Sequence, residues 1–255
     1  MPLSTALRLR SLLRPLAQLV RRRLRVARRL LTATPQVGKI DFGDLRRTSP
    51  LCPDYGYDRG TPIDRIYIEA FLEAHAADVA GAVLEVLDDG YTKRYGGARV
   101  ERSDVLDFDP ANRQATVIAD LAAPGTLAGD RYDAFILTQT LQLVFDARAA
   151  VATAHYLLKP GGVLLVTVPG VTLVGQRSAE KDQWCWAFTV RSLRLLLETR
   201  FCGEDVEVEC FGNVLTATAF LQGIAAEELR PAELAVRDPG YPVTIAARAR
   251  KAAAR

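Results

Sequence analysis

The sequence predicts an α/β protein built on a mostly parallel sheet, and two observations carry that expectation. Four short apolar runs rich in Val, Ile and Leu recur between residues 81 and 142, reading GAVLEVLDDG, DVLDFDPAN, ATVIADL and YDAFILTQTLQ, and a fifth follows in LLKPGGVLLVTVPG. Runs of this length suit strands covered on both faces, as parallel strands are. Each run also ends in acidic or polar residues, which places those residues along one edge of the sheet. Open α/β sheets bind their ligands at that edge.

Composition narrows the class. The chain has 255 residues, 49% of them hydrophobic, which suffices for one large domain with appendages. The net charge is +3, but the first 40 residues hold nine Arg, one Lys and no acid, so the remainder is net acidic. Cys52, Cys185, Cys202 and Cys210 show no CxxC spacing, and His75 and His155 are the only histidines, so no zinc site is expected. Free thiols in a reducing cytoplasm are the plain reading. No apolar run reaches the 18 residues of a spanning helix.

The elements follow in order. Residues 1–36 form a basic arm in which Leu9, Leu12, Leu13, Leu16, Leu19 and Leu24 recur at helical spacing with Arg on the other face, interrupted by Pro15. Such a helix docks on a membrane surface or a partner, or it is a plain extension. No aromatics interleave its arginines, so no nucleic acid is expected. Residues 37–56 read as an irregular linker rich in Gly and Pro, ahead of a domain over 57–250. A helix then begins with Thr61 as N-cap, Pro62 in the first turn and Asp64 beside it, and it runs to about Ala80. The segment Tyr57–Arg65 joins paired charges to this helix start. Arg59 or Arg65 there suits a carboxylate or phosphate, and Asp58 or Asp64 suits deprotonating a hydroxyl; the rival reading is a charge-paired cap that closes the domain.

The first strand is expected over Ala82–Val86 and the second to end at Asp109. The third covers Thr116–Ala119 and ends at Asp120 and Leu121; the fourth covers Ala134–Leu137 and leads into Thr138-Gln139-Thr140. About six residues link strands two and three, fewer than a parallel crossover normally needs. Either an extended loop serves, or strand two starts near Arg99 and the runs form an antiparallel excursion. A helix carrying His155 at a packing position precedes the turn Lys159-Pro160-Gly161-Gly162 and strand five, and another helix is expected from Val190 to Thr199. Alternation of Val206, Val208 and Cys210 with acids, and of Val243, Ile245 and Ala247 with polar neighbours, predicts a final antiparallel pair around a helix spanning 213–228.

These pieces resemble a class I S-adenosylmethionine-dependent methyltransferase. That family follows its first strand with E/D-x-G-x-G-x-G; here the segment is Glu85-Val86-Leu87-Asp88-Asp89-Gly90-Tyr91, with Leu87, Asp89 and Tyr91 at the glycine positions. An aspartate-rich turn followed by Y-T-x-R-[FY]-G, matched by residues 91–96, is similar to methyltransferase-like proteins associated with bacterial glycan synthesis. The resemblance implies a Rossmann-like, seven-stranded, mostly parallel sheet with flanking helices. It implies S-adenosyl-L-methionine as cofactor, held by Glu85, Asp88 and Gly90 at the turn, Asp109 at the ribose (Asp107 competing), Asp120 and the Leu121 amide at the adenine, and Gln139 beside the transfer pocket. The stretch Asp182–Thr189 resembles the acceptor segment after strand five, with Trp184 and Trp186 as stacking surfaces for a sugar or as packing residues.

The expected function is therefore methyl transfer to a sugar or other small hydroxyl in glycan biosynthesis, by a cytoplasmic protein that the basic arm brings to a membrane periphery or a glycosyltransferase. The catalytic base is not identified, and no metal is expected. The alternative is a degenerate relative acting as an interaction module. A nicotinamide enzyme is disfavoured by the missing G-x-G-x-x-G and Tyr-x-x-x-Lys.

Overall fold

Seven strands form one sheet in the order β3-β2-β1-β4-β5-β7-β6, parallel except for β7. The strands are β1 (Gly81–Val86), β2 (Val100–Asp107), β3 (Val117–Ile118), β4 (Tyr132–Thr138), β5 (Leu158–Pro169), β6 (Val206–Phe211) and β7 (Thr244–Arg250). This computed structural model describes residues 34–123, 125, 127–174 and 184–253. The arm helix expected before residue 34, and Asp182 and Gln183 of the acceptor segment, lie outside the described residues. Contacts divide the chain into two units, residues 1–48 and 49–255. In the first, residues 34–48 are almost wholly exposed, with one short turn at Gly43–Leu45 whose first amide donates to Asp41.

The second unit has three layers. Helices α1 (Ile63–Ala74) and α4 (Val214–Gln222) cover one face of the sheet; α2 (Ala147–Leu157) and α3 (Val190–Leu197) cover the other. A fifth, short helix, α5, spans Pro231–Ala235. Two apolar clusters fill the interlayers. One gathers Leu84, Phe135, Leu137, Leu164 and Val166 against α2 and α3; the other gathers Val83, Ala134, Ile136 and Leu165 against Ile68, Phe71 and Phe220. Successive residues of β1 and β4 thus alternate between two cores, which is why their sequences are apolar throughout.

Several local expectations are corrected. Thr61 does not cap α1: its amide and hydroxyl both donate to Glu227, at 2.9 and 2.6 Å, and α1 ends at Ala74. Strand β2 starts at Val100, near Arg99, and ends at Asp107 rather than Asp109, yet it pairs in parallel with both neighbours. The link from β2 to β3 holds no helix. Asp109 and Asn112 turn it by accepting from amides two residues on, and Thr116 ties its end back to Val105. Residues 159–162 are not a free turn before β5 but part of it, a bulge that lets Leu158 pair with Tyr132 and Val163 with Ala134. The helix expected over 213–228 stops at Gln222, where Gly223 takes a left-handed conformation. The antiparallel closure by β6 and β7 is as expected.

Candidate active site

A cavity of about 660 Å³ opens at the carboxyl ends of β1 and β4. The turn after β1, Glu85 to Tyr91, forms one wall; Thr138 and Gln139 form the floor. The first turn of α1 (Asp64, Arg65, Ile68) and the loop before it (Asp54, Tyr55, Tyr57) close the opposite side, with Pro169, Thr172 and Trp184 beyond.

The turn after β1 is held from beneath. Glu85 is 2% exposed, and its two carboxylate oxygens accept from the amides of Tyr91 (3.1 Å) and Thr92 (2.7 Å). It therefore braces the turn from inside. Burial lifts its pKa to about 6. Asp88 closes the outer side by accepting from the Gly90 amide at 2.8 Å. Of the three residues at the expected glycine positions, only Leu87 takes a left-handed conformation, with φ of 73°; Asp89 and Tyr91 do not. The turn thus needs one unusual residue, and Leu87, 57% exposed, takes that conformation at a cost of ~1–2 kcal/mol. The chain then enters a π-helical turn at Thr92–Gly96, a form often found beside functional sites.

Backbone strain gathers at this cavity. Four described non-glycine residues have positive φ, and three of them, Tyr55, Leu87 and Gln139, line it. Strain of this kind persists only where surrounding structure imposes it, and it clusters at binding sites. Gln139 is fixed by its amide to the Thr167 carbonyl (2.9 Å) and by Gln142, which donates to both its carbonyl oxygens. Its Nε2 is buried at the floor without a partner among the described residues. A buried unsatisfied donor is costly, and an occupant of the cavity would satisfy it.

On the opposite side, Arg65 donates to the phenol oxygens of Tyr91 and, at 3.0 Å, Tyr57. Neither phenol hydrogen is given to a described acceptor. Arg65 makes no ion pair with a described carboxylate. Guanidinium and phenols together form a convergent donor set suited to a carboxylate. Asp64 lies beside it, half-buried; one oxygen accepts from the Arg65 amide at 2.9 Å and the other has no described partner. Burial lifts the Asp64 pKa to about 6.

The other residues singled out in sequence are placed as follows. Arg59 is spent on Glu228, bonded through Nε at 2.8 Å and through Nη2, and Asp58 accepts from Cys52. That half of the Tyr57–Arg65 segment is a closing cap, whereas Asp64 and Arg65 face the cavity. Asp107 ends β2, and its oxygens accept from the Asp109 amide and the Asn112 side chain, which also donates to the Leu87 carbonyl. Asp107 therefore stands beside the turn, and Asp109 lies further out on the loop with one oxygen on the Ala111 amide. Asp120 is exposed just after β3, accepting from the Ala122 amide, and Leu121 is buried. Neither Asp109 nor Asp120 lines the cavity described above. Trp184 lines it; Trp186 stacks on Phe145 outside, 5.7 Å between centroids, with its indole N–H on the Val144 and Phe145 carbonyls. His155 packs edge-on against Phe201, and burial lowers its pKa. The roles of Tyr57 and Tyr91 as partners of Arg65 went unread, because they join a residue before α1 to one after β1.

No protein-family model matches the chain, and no curated protein does. Solved structures do. A SAM dependent methyltransferase from Archaeoglobus fulgidus is similar at 15% identity and a TM-score of 0.50, over 73% of this chain and 94% of that one. The N-methyltransferase NodS from Bradyrhizobium japonicum, in complex with S-adenosyl-l-homocysteine, is similar at 14% identity and a TM-score of 0.49, over 78% and 92%. The [4+2]-cyclase SpnF is similar at 14% identity and a TM-score of 0.49, over 77% and 85%. The first likeness shows the fold, a Rossmann-like methyltransferase fold. Fold alone does not assign a reaction.

Proposed function

We propose that this chain is an S-adenosylmethionine-dependent methyltransferase. The observation that carries the reading is the turn after β1: its left-handed residue is retained although Leu87 replaces glycine, and Glu85 braces it beneath a strained cavity floor. A turn kept at such cost is a turn in use.

The residues present fit the cofactor. The donor set of Arg65, Tyr57 and Tyr91 suits its carboxylate, and the orphaned Gln139 Nε2 supplies a further donor. Acidic groups at the end of β2 suit ribose hydroxyls, with Asp107 beside the turn and Asp109 next along the loop. Asp120 and the Leu121 amide follow β3, outside the cavity, where the family resemblance assigns adenine contacts. The cavity volume is within the range of small-molecule sites. When bound, the cofactor supplies an electrophilic methyl group on a cationic sulfur. The chain's own contribution is to hold two reactants in line, which accounts for much of the rate in such transfers. For the acceptor we favour a sugar or other small hydroxyl in glycan synthesis. The stretch at 91–96 and the indole of Trp184 on the cavity wall support that choice.

Calorimetric titration with S-adenosylmethionine and S-adenosylhomocysteine tests the reading. Micromolar binding is expected, weakened ~10–100-fold in Arg65→Ala through loss of a charge-assisted contact. Absence of saturable binding to the folded protein would refute it and favour an interaction module.

A further inference from the structure

We propose that Asp64 is the catalytic base, the group that takes the proton of a hydroxyl acceptor as the methyl group is transferred. The proposal rests on the methyltransferase reading above. Its argument is the set of titratable groups lining the cavity, each of which has a definite employment. Both oxygens of Glu85 are taken by the amides of Tyr91 and Thr92. Asp88 sits in the exposed outer turn and caps Gly90. Tyr57 and Tyr91 accept from Arg65, and Arg94 pairs with Glu69 at 2.9 Å. Asp54 and Tyr55 are each engaged in an interaction of their own. Among the described residues no histidine, lysine or cysteine lines the cavity, both histidines being built into packing contacts elsewhere.

Asp64 shares with Asp88 one oxygen held by an amide, and differs from it in being half-buried rather than exposed. It faces the cavity from the first turn of α1, with one oxygen anchored on the Arg65 amide and the second without a described partner. The anchor sets the carboxylate's orientation, and the free oxygen is an acceptor for an incoming hydroxyl. Burial keeps its proton affinity above that of an ordinary aspartate while leaving it mostly ionised at neutral pH, the balance a general base needs. In the step itself, the hydroxyl proton passes to the free oxygen of Asp64 while the acceptor oxygen forms a C–O bond to the methyl carbon. The C–S bond breaks with its electron pair left on sulfur, giving a methyl ether and a neutral thioether. Asp64 then returns its proton to water.

The test needs no acceptor. A base at the transfer point stands near the sulfur, so the cationic sulfonium must perturb it more than the neutral thioether does. Carboxyl carbon NMR, assigned with Asp64→Asn, gives the Asp64 pKa in the free protein and with saturating S-adenosylmethionine or S-adenosylhomocysteine. The sulfonium complex is expected to titrate ~1 unit or more below the thioether complex, as an added positive charge a few ångströms away requires. Correspondingly, Asp64→Asn should reduce the preference for S-adenosylmethionine over S-adenosylhomocysteine by ~10-fold. Equal pKa values in the two complexes, with both ligands bound, would overturn the assignment and leave the cofactor site standing. Failure of both ligands to bind would instead remove the reading on which it depends. Asn preserves the anchor on the Arg65 amide, so loss of folding is not expected.

Discussion

At the scale of single residues, the site is built from side chains that do something other than their type suggests. Glu85 resembles a ligand-binding acid in sequence, yet its contacts are all internal, and it shapes the turn for others. Leu87 takes a φ of 73°, a conformation that favours glycine. A left-handed non-glycine residue costs ~1–2 kcal/mol, partly offset by the entropy glycine loses on folding. Leu87→Gly is accordingly expected to raise stability by ~0.5–1 kcal/mol in denaturant unfolding, with S-adenosylhomocysteine affinity unchanged or higher. A loss of stability would show that the Leu87 side chain has contacts that outweigh its strain. The raised pKa values of Asp64 and Glu85 mean that the folded state favours their protonated forms. That stabilising contribution is complete below about pH 4 and is lost as pH rises through about 6. At neutral pH both carboxylates are therefore held at some expense to the fold, which is consistent with a functional use. The sequence marked Glu85 and the Asp64–Arg65 pair, because acids after a strand and charges at a helix start are visible in one dimension. It did not show that Tyr57 and Tyr91 converge on Arg65, since 34 residues and a strand separate them.

At the scale of elements, the strands were legible and their ends were not. Apolar runs with no polar face mark strands buried between two helical layers, and β1, β4 and β5 lie where those runs do. Chain direction in β2 was harder. Its first half is exposed and charged, so the apolar signal appears only from Val105, and the strand's true end at Asp107 is masked by Asp109 and Pro110. Thr61 illustrates the same limit at a helix start: a good capping residue was drawn instead to Glu227, a partner invisible in local sequence. The end of α4 shows how tightly elements meet. Gly223 has a φ of 66°, and a Cβ there would lie 2.0 Å from the Cys52 carbonyl oxygen. The same junction takes the amides of Leu51 and Cys52 onto the Gln222 carbonyl. Gly223→Ala should therefore cost more than about 2 kcal/mol, seen as a fall of several degrees in Tm. A change within a degree would mean that the loop before α1 yields freely at that point.

At the scale of the whole molecule, the strand order brings the turn after β1 and the end of β4 together at one edge of the sheet. Reversal of the strand order between the parallel strands β1 and β4 opens a crevice there, and the cavity occupies it. The opposite edge carries a shallower, polar depression lined by Asp78, Glu101, Asp133, Lys159 and Arg250, whose charges are largely paired among themselves and with Arg248. No described helix is long and apolar enough to cross a membrane. The mostly parallel sheet was legible in its apolar runs, but the order of its strands was not, because which strands pair leaves no local mark in the sequence. The measurement that tests the account most directly is amide chemical-shift mapping of the 15N-labelled protein during titration with S-adenosylhomocysteine. Saturable shifts at Leu87–Tyr91, at the end of β2 around Asp107 and at Thr138–Gln139 are predicted. Shifts confined to the Asp78–Lys159 depression, or none at all, would contradict it.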